Sequence, residues 1–200
     1  MLARPRSLPI LATLLLLLLT LAHPPRAAAS GVPAVLALRL TDVPGGLVQT
    51  LGQFTPNAQL ARANHISVAE LRRRGRVNGY EVGFQHLSQS HGICCIWNYI
   101  NEYRSPRAAA QDYADQIRRE TRRFRTYAGY REFGSRTGSM FGYTFNCTCY
   151  GNRQTADHII AHKGDYEVSV QLYFVRGSAN PNVMLGQAVH LARVVLKRIP

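Results

Sequence analysis

The chain has 200 residues, 24 Lys+Arg against 11 Asp+Glu, and a formal net charge of +13. This length supplies one domain with a real core, and a cationic surplus of this size speaks to association and solubility rather than to fold. The few acids are scattered along the chain, and Asp112 and Asp115 fall in the first turns of an expected helix where a structural role suffices, so nothing in the sequence points to paired-carboxylate glycosidase chemistry.

The N-terminus carries Arg4 and Arg6, then the leucine-rich run "LPILATLLLLLLTLA", then small residues ending in Ala27, Ala28 and Ala29. Basic lead, short apolar run and small-residue end are the order of a secretory signal peptide. The run is shorter than the ~20 residues that span a bilayer, so residues 1–29 read as a leader cleaved before Ser30, with an uncleaved anchor as the alternative. No cysteine follows it to take a lipid. Residues 30–200 then form a single exported domain, working outside the cytoplasmic membrane. That part keeps 21 Lys+Arg against 11 Asp+Glu, or +10, and all but Lys163 and Lys197 are arginine.

Val35 to Leu40, "VLALRL", reads as a first strand, and "TDVPGG" as the turn that ends it. "FTPNAQLARAN" fits a helical turn after Pro56. Ser67 and Glu70 have capping-box spacing and Gly75 sits at a helix end, so a short helix is expected over about 68–74. The period then becomes two. Tyr80, Val82 and Phe84 share one strand face in "VNGYEVGFQ". In "ICCIWNYINEY", Ile93, Cys95, Trp97 and Tyr99 fall on one side, and Cys94, Ile96, Asn98 and Ile100 on the other. Both sides are largely apolar, which places this strand centrally in its sheet.

Ser105 and Pro106 open a long helix as cap and first residue, with the stripe Ala109, Tyr113, Ala114, Ile117, Thr121 and Phe124 turned to the core. Its C-terminal half carries Arg118, Arg119, Arg122 and Arg123, the densest positive patch of the chain. They read either as a solvated face favoured by the helix dipole or as a surface for anionic ligands. Three strand segments follow: "YREFG", "MFGYTFNCTCY" and the hairpin "DHIIAH-KGD-YEVSVQLYFV" turning at Gly164. Asn180 and Pro181 start a final helix with the stripe Met184, Ala188, Leu191, Ala192, Val195 and Ile199.

Short turns between neighbouring strands give an antiparallel sheet with amphipathic helices packed on it, an α+β domain. Two alternating strands leading into a Tyr103-x-Ser105-Pro106-x-x-Ala109 helix, a strand meander and a closing helix resemble the Mog1/PsbP-like α/β sandwich. "GRVNGYEVGF" is similar to a recurrent stretch of exported bacterial proteins. The resemblance covers about residues 75–199 and implies binding or accessory roles more than catalysis.

Motifs for chemistry are sparse. His158 and His162 have helical metal-site spacing, but in a strand four residues span ~13 Å, too far for one ion with bonds of ~2.1 Å. "GSRTGSMFG" is neither a nucleophile elbow nor a phosphate loop. No cofactor is implied.

The four cysteines, Cys94, Cys95, Cys147 and Cys149, carry more. An exported chain with an even number of cysteines and no C-x-x-C points to structural disulfides, with buried thiols or a thiolate metal or redox site as alternatives. If the two cysteine strands are neighbours, one bridge between them is easy and a second needs a bulge. One such bridge closes a loop of about fifty residues, worth ~4 kcal/mol in the chain-entropy model.

These observations favour a non-enzymatic exported binding or accessory domain at the cell envelope, with anionic envelope components or a protein as partner. Membrane contact is peripheral at most. Nucleic acid is disfavoured, because no recognition motif accompanies the charge.

Overall fold

The computed structural model describes residues 32–88, 92–149 and 151–200, with Cys149 described through its backbone; the leader lies outside the described residues. Chain order is α1 (Val32–Leu36), β1 (Leu47–Phe54), α2 (Asn57–Ala63), α3 (Val68–Arg73), β2 (Arg76–His86), β3 (Ile93–Tyr103), α4 (Pro106–Phe124), β4 (Arg131–Gly134), β5 (Met140–Cys149), β6 (Asn152–Lys163), β7 (Tyr166–Val175) and α5 (Pro181–Arg198). The strands form one sheet ordered β1-β2-β3-β7-β6-β5-β4, with every neighbouring pair antiparallel. The α+β class expected from the sequence is the architecture observed.

Local chemistry explains most of the boundaries. The Ser67 side chain accepts from the Glu70 N–H, and Ser105 accepts from Ala108. Asn180 does the same for Asn182. Gly75 leaves α3 at φ +85°, a backbone that side chains other than glycine adopt only at a cost.

The sheet is covered on both faces. On one, α1 packs over β2 and β3 and α5 over β6 and β7. There Val82, Phe84, Ile96, Ile100, Val168, Val170, Leu172 and Phe174 meet Ala188, Leu191, Ala192 and Val195, all buried. Arg198 pins α5 in place, donating to both carboxylate oxygens of Asp42 (2.7 and 2.8 Å) and to the Ala37 carbonyl. On the other face α4 packs across β6 and β7, and Tyr113, Ile117 and Phe124 meet Phe141, Tyr143, Phe145, Ala156 and Ile160. The short helices α2 and α3 contact β2.

One expectation needs correcting at the N-terminal side. The segment Val35–Leu40 is not a strand: α1 ends at Leu36, and Leu36, Ala37 and Leu38 are buried in the first core. There the Leu38 N–H donates to Asn98 Oδ1 at 3.0 Å. A short apolar run does not distinguish strand from buried helix, and Pro33 suits a helix start. The first strand is instead Leu47–Phe54, an edge strand with only Leu47 buried and a register shift between Gln49 and Leu51.

Candidate functional site

On the sheet face shared by α2, α3 and α4, a cleft of about 490 Å³ opens between the helices. Pairing fixes its floor. Glu81 opposes Tyr99 and Tyr99 opposes Ser169, so these three form one row across β2, β3 and β7. Asn101 with Glu167 and Trp97 with Gln171 form the rows on either side. Asp112, Gln116, Arg119 and Glu120 of α4 make one wall; Leu60 and Ala63 of α2, with Ile66, Leu71 and Arg74, make the other. Four of the chain's 11 acids line this cleft, which makes it acid-rich in a basic protein.

Glu167 is the group around which the floor is organised. It is 1% exposed, Asn101 Nδ2 donates to its Oε2 at 3.2 Å, and the Tyr103 hydroxyl lies 3.1 Å from the same oxygen. That hydroxyl also lies 2.6 Å from Asp112 Oδ2, and its single proton cannot serve both carboxyls. Burial, helped by the negative charge of Asp112, pushes Glu167 up to about 7, which favours its protonated form. The Asp112 carboxylate sits among the Tyr103 hydroxyl (2.6 Å), Arg74 (3.3 Å) and Arg119 (4.0 Å). Glu167 Oε1 is buried without a hydrogen-bond partner, an unspent acceptor beneath the cleft.

A second feature runs beneath α4. The Tyr143 hydroxyl donates to Glu120 Oε2 at 2.5 Å and lies 2.6 Å from His158 Nδ1. With that proton committed to Glu120, Nδ1 carries its own and donates to Tyr143. His158 Nε2 lies 3.1 Å from the Tyr173 hydroxyl, which in turn lies 3.2 Å from Gln171 Oε1. Complete burial, with the Arg123 charge adding, pushes His158 down to about 3 and keeps it neutral. His162 lies against Tyr113, ring centroids 4.6 Å apart and planes tilted by 51°, and burial lowers its pKa also. Both histidines lie in strand β6, and among the described residues no group of three metal-ligating side chains gathers.

The arginines expected to form one anion-binding face divide. All four are exposed on α4. Arg118 pairs with Asp115, Arg119 leans over the cleft toward Asp112, and Arg122 lies in the last turn. Arg123 packs over the Phe124 ring at 5.0 Å and lines a different cavity.

The cysteine geometry also differs from expectation. Cys94 and Cys95 do not take opposite faces cleanly, because the β3–β7 register shifts between Ile93 and Cys95. A bulge there gives two residues of one strand to one of its partner, and the Sγ atoms come to 3.7 Å. The Cys94 thiol donates to the Tyr173 carbonyl at 3.2 Å, and both cysteines are buried. The two cysteine strands are not neighbours: β7 and β6 lie between β3 and β5, some three strand spacings or about 14 Å along the sheet. The neighbouring-strand bridge anticipated from the sequence therefore lacks its premise. The Cys149 side chain lies outside the described residues.

Sequence reasoning missed Glu167, Tyr103 and Arg76 as a group. Arg76, 2% exposed, donates to Asn101 Oδ1 (2.9 Å), Asn57 Oδ1 (2.7 Å) and the Thr55 carbonyl (2.8 Å), which fixes the end of β1 and the start of α2 beside the cleft. A charged residue at an inward strand position was the available signal.

No family model and no curated protein matches the sequence. Among solved structures, the chain is similar to the crystal structure of the extracellular domain of PknH from Mycobacterium tuberculosis, with a TM-score of 0.58 over 88% of this chain and 100% of that one. The sequence identity is 11%, so the likeness is one of fold.

Proposed function

We propose that this chain is an exported, non-enzymatic binding domain and that the cleft between α2–α3 and α4 holds its ligand, a small hydroxyl-rich molecule of saccharide type. The carrying observation is Glu167, buried under the cleft with Oε1 unpartnered. The surrounding Asn101, Gln116, Ser169 and Gln171 mix donors and acceptors, which suits hydroxyls that do both. Leu60, Ile66 and Tyr99 supply apolar surface for a sugar ring, and the volume falls in the ordinary range for small-ligand sites. The acids are offset in part by Arg74 and Arg119, which favours a neutral ligand over a polyamine.

Export is supported by the leader reading of residues 1–29 and by the extracellular nature of the similar domain. Among the described residues no helix is long and apolar enough to cross a membrane. The sandwich resemblance, with its binding and accessory roles, points the same way. Trp97, the sole tryptophan, stands beside Gln171 on the floor face and reports on the site. Titration with glucose, N-acetylglucosamine and maltose, followed by Trp97 fluorescence, is expected to give a saturable response with at least one sugar and its loss in Gln171→Leu. A response to spermidine alone, or to none of the sugars, contradicts the reading.

The adjacent thiols favour a second reading, a cysteine-based redox function, since Cys94 and Cys95 already stand 3.7 Å apart. Counting thiols in denaturant, with and without reductant, separates the cases. Four free thiols in exported protein rule out structural bridges; two or none keep one bridge or two.

A further inference from the structure

A second cavity, about 570 Å³, lies at the far end of the same sheet face. The C-terminal end of α4 gives Arg123 and Phe124, the following loop gives Tyr127, β5 gives Phe145, β6 gives Arg153 and β7 runs into Arg176. The architecture is fixed by main-chain bonds: Asn146 N–H donates to the Ala128 carbonyl at 2.7 Å, and Arg176 N–H to the Arg153 carbonyl at 3.0 Å. Those bonds hold the α4 loop against β5 and set two arginines side by side at adjoining strand ends.

Charge at this cavity is unbalanced. Every one of the 11 carboxylate residues lies among the described residues, and none lines it. Arg123, Arg153 and Arg176 are exposed, and among the described residues none is ion-paired. Arg123 is partly used, since it lies in the last turn of α4, where the helix dipole favours a cation, and covers the Phe124 ring. Arg153 and Arg176 come from strand ends and have no such employment. Three planar guanidinium forks around one concavity match the oxygens of a multivalent oxyanion, each fork able to bond two of them. The aromatic wall is continuous: Phe124 stacks on Phe145 at 4.5 Å and Tyr127 meets Phe145 edge-on at 5.3 Å. An inorganic ion would leave that wall unused.

We propose that this cavity is an anion site for a phosphate ester, with Arg123, Arg153 and Arg176 on the phosphate and Phe124, Tyr127 and Phe145 against its organic group. The site is separate from the saccharide cleft, and it stands on its own observations. The source of the phosphate is either a soluble ester or a lipid headgroup, and both offer the same chemistry.

Calorimetric titration of residues 30–200 with phenyl phosphate, inorganic phosphate and benzyl alcohol tests it. Phenyl phosphate is expected to bind most tightly, to weaken as salt rises, and to lose about tenfold or more in each of Arg153→Gln and Arg176→Gln. Both residues are exposed, so the folded state survives the change, and an unchanged thermal midpoint checks that. Vesicles containing phosphatidic acid that displace phenyl phosphate identify a headgroup as the source, and a failure to displace identifies a soluble ester. Benzyl alcohol binding as well as phenyl phosphate, affinity unchanged in both arginine variants, or no binding by either phosphate overturns the proposal.

Discussion

Arg76 and Glu167 show at residue scale how a few buried polar groups organise this face. Arg76 is almost fully buried and satisfied by neutral partners, so replacing it strands Asn57, Asn101 and Thr55 without a donor. Arg76→Met is expected to cost about 3 kcal/mol in urea unfolding, since each abandoned buried acceptor carries its desolvation penalty. A loss within experimental error of zero contradicts that accounting. Glu167 sets a pH dependence of definite sign. Its folded pKa, about 7, exceeds the usual carboxylate value, so the folded state binds the proton more tightly than the unfolded chain. The stabilisation is complete below about pH 4 and is lost as pH rises toward 7. Asp157, pushed up to about 6 by burial, acts in the same direction. Stability is therefore expected to fall between pH 4.5 and 7.5 (roughly, from these shifts) and to fall less steeply in Glu167→Gln. Denaturant midpoints across that range check it.

Among the elements, the junction of α3 with β2 is where local geometry leaves least freedom. Gly75 has φ +85°, and a Cβ placed there would stand 2.9 Å from Ala108 Cβ at the start of α4. Gly75→Ala is expected to lower stability by about 1–2 kcal/mol, measured as a fall in thermal midpoint; an unchanged midpoint contradicts it. This helix end was legible in the sequence, because Ser67, Glu70 and Gly75 are local signals. The two long helices were legible for the same reason, with Ser105-Pro106 and Asn180-Pro181 marking their starts. Strand β1 was not. Its sides are mostly exposed and its alternation is broken by the register shift after Gln49, so no period of two survives in "LVQTLGQF". The β3 bulge was hidden likewise: alternation assigns Cys94 and Cys95 to opposite faces, and only pairing with β7 shows the slip.

At the scale of the whole molecule, sequence reasoning reached the antiparallel sheet and its helical cover, because amphipathic periods and turn residues are written locally. It did not reach the sheet order, in which β3 pairs with β7 across α4 and three intervening strands. That long-range pairing is what aligns Glu81, Tyr99, Ser169 and Glu167 into a floor and separates the two cysteine segments. It also joins the two cavities. Glu120 and Gln171 line the cleft, Tyr173 lines the arginine cavity, and the Tyr143–His158 pair lies hydrogen-bonded between them. His158→Phe, which breaks that chain without emptying the core, is expected to change the affinity of both cavities together. Titrations of the two in that variant check this; two unchanged affinities show that they act separately.

The most direct test of the central claim is a crystal structure of residues 30–200 grown with the saccharide that gives the strongest Trp97 response. The account predicts an ordered ligand in the cleft between α2–α3 and α4, with a hydroxyl within about 3.2 Å of the Glu167 carboxyl. A ligand ordered elsewhere on the molecule, or a cleft holding solvent alone at saturating sugar, would contradict it.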